Sequence, residues 1–131
     1  MSRELLFYCA GNGLIATGRI DTNGQYTDHK QGRLGTGWTH VAHVGDEVFF
    51  YCAANGLIAT GRIDTNGQYT ALKEGHLGPG WTHITALGRE LLFYCAANGL
   101  IATGRIDTNG QYTALKEGHL GEGWTHITTA A

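Results

Sequence analysis

No apolar run in this 131-residue chain approaches the roughly 18 residues that a membrane-crossing helix needs. Charge is sparse and nearly balanced: nine Lys and Arg against eleven Asp and Glu, a formal net charge of -2, with no basic block and no acidic tail. That removes the electrostatic basis for binding nucleic acid or an anionic membrane, so neither a nucleic-acid partner nor membrane insertion is expected. The N-terminus, MSRELLFYC, lacks the apolar stretch and small-residue cleavage site of a secretory signal, which points to a cytoplasmic address. Cysteine is limited to Cys9, Cys52 and Cys95. Three is an odd number, and the spacing matches no zinc or redox pattern. Each reads as a small buried apolar residue on a strand. No metal or cofactor is expected.

Enzyme motifs are missing as well. There is no Gly-x-Ser-x-Gly, no HExxH and no Gly-rich loop leading into a helix. The Asp residues recur in equivalent places rather than as a pair in different environments, which acid–base catalysis favours. The sequence therefore predicts no enzyme. At 42% hydrophobic and 15% charged residues the chain is nonetheless globular and not disordered.

What the chain has in abundance is glycine, 21 residues against a single proline. The glycines are periodic, because the phrase NGLIATGRIDTNGQYT occupies 12–27 and returns at 55–70 and 98–113. Aligned on Leu5, Val48 and Leu91, the chain divides into repeats 5–47, 48–90 and 91–131 within one domain. One supersecondary unit used three times is the mark of a repeat architecture.

Each unit reads as four strands. Around Trp81 these are WTHITAL, LLFYCA, LIATGRID and QYTALK, joined by GRE, ANG and TNG and followed by the Gly-rich EGHLGEG. Short runs of β-branched and aromatic residues separated by Asn-Gly or Gly connections are antiparallel hairpins. In LLFYCA, Leu91, Phe93 and Cys95 point one way and Leu92, Tyr94 and Ala96 the other. Both faces are apolar, so this strand must be covered on both sides, as when sheets stack around a ring. The expected fold is all-β, with three four-stranded β-propeller blades, WTHIT inner and QYTALK outer.

The chain starts on the second strand of a blade, ELLFYC, and ends on an inner strand, WTHITTAA. The last inner strand has its natural partner in a first blade that lacks one. Propellers typically have four to eight blades, so two chains would complete a six-bladed ring as a homodimer. A monomeric threefold β-trefoil or β-prism is the alternative architecture. The Gln-x-Trp of many trefoils and the prism's alternating Gln, Asp, Asn, Val and Tyr are both absent from the repeat.

The order GxGW, inner strand, LxFY, Asn-Gly turn and Gly-rich exit resembles the blades of tachylectin-type propeller lectins. The resemblance runs through all three repeats, although the family's longer outer loop with Asp-Asn-Trp is missing. It implies binding of glycans, typically amino sugars, at several equivalent sites.

The meander places the ANG turn and the long KEGHLGPGW connection at one end of the blade, where loops commonly carry binding. That end collects Asn12, Asn55 and Asn98, Trp38, Trp81 and Trp124, and His76 and His119. Trp offers a flat apolar face and Asn both a donor and an acceptor, which a neutral sugar requires. Arg33 replaces the histidine in the first repeat. Arg19, Arg62 and Arg105 stand two residues before Asp21, Asp64 and Asp107 on one strand face. They read as structural ion pairs between blades or as a clamp on sugar hydroxyls. His40, His83 and His126 on the inner strand read as structural. The leading expectation is a multivalent carbohydrate-binding protein, and the alternative is a symmetric propeller scaffold or protein-binding module without a sugar ligand.

Overall fold

A computed structural model describes residues 4–45 and 47–128. Eleven strands run in chain order: β1 (Glu4–Cys9), β2 (Leu14–Ile20), β3 (Tyr26–Arg33), β4 (His40–Val44), β5 (Glu47–Tyr51), β6 (Leu57–Ile63), β7 (Tyr69–His76), β8 (His83–Leu87), β9 (Glu90–Tyr94), β10 (Leu100–Ile106) and β11 (Tyr112–His119). They form three antiparallel sheets of sequential strands: β1-β2-β3, β4-β5-β6-β7 and β8-β9-β10-β11. Each complete sheet takes its innermost strand from the end of the preceding repeat, so sheets and repeats are out of phase by one strand. Among the described residues, the first sheet has no inner strand, and 124–128 lie outside any sheet.

The local chemistry of the turns is repeated faithfully. Asp21, Asp64 and Asp107 close the DTNG turns, each Oδ1 accepting backbone N–H groups two and four residues on; for Asp64 both distances are 2.9 Å. Asn12, Asn55 and Asn98 close the other hairpin, accepting at 2.9–3.0 Å from the N–H of Leu14, Leu57 and Leu100. The glycine after each Asn is obligatory. Gly56 sits at φ +78°, and a Cβ there would lie 2.0 Å from the Leu77 carbonyl oxygen. That close approach lets the Gly-rich exit dock on the turn, with Leu77 N–H donating to Gly56 O at 2.7 Å.

The sheets stack face to face. On β5, Val48 and Phe50 pack toward the first sheet, with Leu6, Leu34 and Trp38. Phe49 and Tyr51 pack toward the third, with Leu91 and Phe93. Every residue of β5 is buried, as both-sided coverage requires. This is the arrangement of propeller blades. A trefoil or prism gathers its sheets on one shared core, whereas here the middle sheet has a core on each side, so the threefold-closed alternative is set aside.

Two expectations are corrected. The outer strand is longer than QYTALK and runs to His119, because its end pairs with Leu100. The cysteines are not buried in strands: Cys9 is exposed, and Cys52 and Cys95 are half-buried just beyond the ends of β5 and β9. All three are free thiols.

Candidate functional site

The loop end holds a repeated clamp centred on a tyrosine. Tyr51 Oη donates to Gly78 O at 2.7 Å and accepts from Trp81 N–H at 3.2 Å. Tyr8 does the same with Gly35 and Trp38, and Tyr94 with Gly121 and Trp124. One phenol thus fixes the long connection and sets the tryptophan. Burial pushes the Tyr51 hydroxyl pKa above its ordinary value, and the Trp81 N–H partly offsets this. The LxFY motif contains this tyrosine, but spacing alone does not show that it reaches a loop 27 residues away.

Two of the three tryptophans expected to face a sugar are packing residues. Trp38 lies against Phe50, and Trp81 against Phe93, each with ring centroids 5.9 Å apart. Phe50 in turn meets Tyr69 at 6.1 Å, and Phe93 meets Tyr112 at 6.0 Å. Each complete blade therefore carries a Trp–Phe–Tyr stack. Trp124 stands apart, 56% exposed.

The asparagine side-chain oxygens are consumed by their own turns. His76 and His119 are exposed at the ends of β7 and β11. Arg33, their counterpart, donates to Asn12 O at 3.1 Å. Arg62 and Arg105 pair with glutamates on the neighbouring strand rather than with the aspartates two residues on. Arg105 Nε donates to Glu90 Oε2 at 2.8 Å. Arg62 holds Glu47 through Nε and a terminal nitrogen at 3.3 and 2.8 Å, and it also reaches Thr108 O. Glu47 is 2% exposed and is held from the far side by Arg89. Burial of that carboxylate is tolerable because two guanidiniums share it. Arg19 faces Glu4 in register on the first sheet and is exposed.

Histidines of the inner strands link neighbouring blades. His40 Nε2 donates to Thr82 O at 3.0 Å and His83 Nε2 to Thr125 O at 2.8 Å. Farther out, Thr17 Oγ1 donates to Gly67 O at 2.7 Å, and Thr60 Oγ1 to Gly110 O at 2.8 Å. Sequence reading missed these threonines, because nothing in LIATG marks a hydroxyl directed at the next blade.

Concavities lie between the blades. One of about 140 Å³ is bounded by Thr17, Lys30, Gln31, Arg33 and Gln68. Its counterpart, about 120 Å³, is bounded by Thr60, Lys73, Glu74, His76 and Gln111. A wider groove of about 550 Å³ runs between Trp38, Leu57, Tyr69 and Leu72. The expected sugar-site residues do not converge on any of them: Trp38 lines the groove, His76 the second cleft, and the others stand elsewhere. Among the described residues no group of three or more His, Cys, Asp or Glu is placed to hold a metal ion, and no helix is long and apolar enough to cross a membrane.

No protein-family model matches the sequence, and no curated protein matches it. Solved structures do match in three dimensions. A Bacteroides fragilis protein provisionally described as a 6-phosphogluconolactonase superposes with a TM-score of 0.70 at 16% identity, over 92% of this chain and 37% of that one. A Lactobacillus plantarum protein gives 0.64 at 13% identity, over 94% and 41%. The periplasmic gluconolactonase of Pseudomonas aeruginosa gives 0.63 at 14%, over 92% and 38%. The chain thus spans about two fifths of the length of the structures it matches, and at such identities the likeness is one of fold. Two of the three are described as lactonases. That overturns the expectation of a lectin and the expectation that the chain is not an enzyme, since its blades are shaped like those of enzyme scaffolds. What the comparisons establish for this chain is its architecture: an all-β run of three propeller blades.

Proposed function

We propose that the chain is a building block of a closed symmetric propeller, acting as a rigid scaffold or protein-binding module. One observation carries this reading: the two end faces expose the side chains that the inner junctions bury. Phe7 is 48% exposed, whereas its equivalents Phe50 and Phe93 are at 0%. Leu5 is 37% exposed, against 6% for Val48 and 1% for Leu91. On the opposite end face, Leu115 and Leu120 are exposed while Leu72 and Leu77 are half-buried. Contiguous apolar surface of this kind marks an interface. Equivalent loops around a closed ring would then offer a partner protein several copies of one surface. The three free cysteines suit a reducing compartment, in keeping with a cytoplasmic address.

Small-angle scattering tests the ring. An isolated chain of this length has a radius of gyration of about 14 Å. The scaffold reading expects a larger particle, still as compact as a globular protein of its mass. A particle the size of one chain overturns it.

Lactone hydrolysis is the second reading, favoured by the descriptions of the two lactonase neighbours. Acid release from gluconolactone above the buffer rate, lost on heat unfolding, supports it. A rate equal to buffer across the neutral range removes it.

A further inference from the structure

We infer that the occupant of the open edge of the first sheet is residues 124–128 of a second copy of this chain, and that two copies close one six-bladed ring. This rests on the scaffold reading and specifies its partner.

The stack of rings on each blade is the first argument. The second and third sheets each have Trp, Phe and Tyr in contact. Among the described residues, the first sheet has Phe7 against Tyr26 at 5.9 Å but no tryptophan against that phenylalanine. At the other end of the chain, Trp124 follows the same GxGW motif and, among the described residues, is 56% exposed with no phenylalanine ring against it. The two broken stacks are halves of one another.

The tail already occupies the place of an inner strand. Its loop is clamped, with Trp124 N–H donating to Tyr94 Oη at 3.1 Å. Its carbonyls are held by the neighbouring inner strand, Thr125 O by His83 and Ile127 O by Thr85 Oγ1 at 3.3 Å. What it lacks is a sheet. In-chain, the same WTHIT sequence leads into β8, which pairs with ELLFY, His83 opposite Tyr94 and Ile84 opposite Phe93, with Thr82 N–H donating to Tyr94 O at 2.9 Å. Residues 4–8 are ELLFY again, and among the described residues the edge of β1 away from β2 is open. The tail and β1 are thus copies of a junction that the molecule already contains. An edge strand of this kind is a template for pairing.

The outer parts of the two end faces agree. Gly67 and Gly110 lie under Thr17 and Thr60 of the blade before, whereas Gly24 has nothing within 4 Å of where a Cβ would stand. Thr103, the third threonine of the set, bonds within its own blade, its Oγ1 donating to Lys116 O at 3.5 Å and accepting from Lys116 N–H at 3.2 Å. A second copy brings its Gly24 carbonyl to Thr103 and its Tyr8 carbonyl to Thr125 N–H. Copy number follows from geometry: propellers have four to eight blades, and six is the multiple of three in that range. The arrangement is isologous, with each copy giving its tail and receiving one.

The test combines mass with the environment of one ring. In a Trp38→Phe/Trp81→Phe chain, Trp124 is the sole indole. Light scattering should give twice the 14.1 kDa chain mass. In that particle Trp124 should be quenched by acrylamide several-fold less than in the same chain carrying Phe7→Ala, which should have single-chain mass. A doubled mass with Trp124 freely quenched overturns tail exchange and leaves the ring reading standing. Single-chain mass overturns both readings, and a mass of three or more chains overturns the two-copy ring. Should the double substitution not fold, hydrogen exchange on the unmodified chain decides: residues 4–9 and 125–128 protected like β5 and β8 support exchange, and rapid exchange at both refutes it.

Discussion

Replacing Tyr51 by Phe removes one oxygen and leaves the ring in place, so it isolates the clamp that holds the long connection. Two partners lose their bond, Gly78 O at 2.7 Å and Trp81 N–H at 3.2 Å. A net contribution of about 1 kcal/mol for each bond gives about 2 kcal/mol. Leaving the two backbone groups partly buried without a substitute moves the figure toward 3 kcal/mol. For a chain of this length 1 kcal/mol corresponds to about 3–4 °C, so the expected fall in Tm is about 7–10 °C. Scanning calorimetry at fixed protein concentration measures it, and fixing concentration matters if copies associate. Trp81 supplies a second readout, since freeing its backbone should loosen the ring from Phe93 and change its near-ultraviolet circular dichroism. A Tm within about a degree of the parent, with that signal unchanged, would refute the claim that the phenol holds the loop.

Other consequences follow from single contacts. Glu47→Gln should destabilise the chain by about 3 kcal/mol in urea titration, because two guanidiniums lose a shared, buried carboxylate; a change below about 1 kcal/mol would contradict the burial of that pair. Gly56→Ala and Gly88→Ala both put a side chain at positive φ, but a Cβ at 56 meets the Leu77 carbonyl whereas 88 is open. Gly88→Ala should cost about 1–2 kcal/mol and Gly56→Ala clearly more, and equal costs in denaturant melts would count against the docking of the exit loop on the turn. Burial raises the hydroxyl pKa values of Tyr51, Tyr69 and Tyr112 above 10.0. The folded state then binds the proton more tightly than the unfolded one. The stability linked to these groups is full below pH 10 and falls as pH rises through the raised values. Urea midpoints measured from pH 9 upward should decline past pH 10 together with the appearance of tyrosinate absorbance, and a flat profile would speak against their burial.

The sequence by itself determined the blade. The 43-residue period and the two apolar faces of LLFYCA are read directly from the letters, and the Asn-Gly and Asp-Thr-Asn-Gly turns are realised by bonds within a few residues. It also put sheets and repeats out of phase by one strand, because WTHIT at the end of one repeat leads into the first strand of the next sheet. Tertiary structure decided what the polar and aromatic residues of the loop end do. Asn55 looks like a sugar ligand until its oxygen is seen to accept from Leu57 N–H; Trp81 looks like a platform until Phe93 covers it; Arg62 looks like the partner of Asp64 until Glu47 arrives from the neighbouring strand. Each of those choices depends on which residues of distant segments come within about 3–6 Å, and a repeat period carries no such information. The threonine and histidine contacts that lock one blade to the next were invisible for the same reason. They join residues 42 to 50 positions apart, and only the stacking of the sheets brings them together.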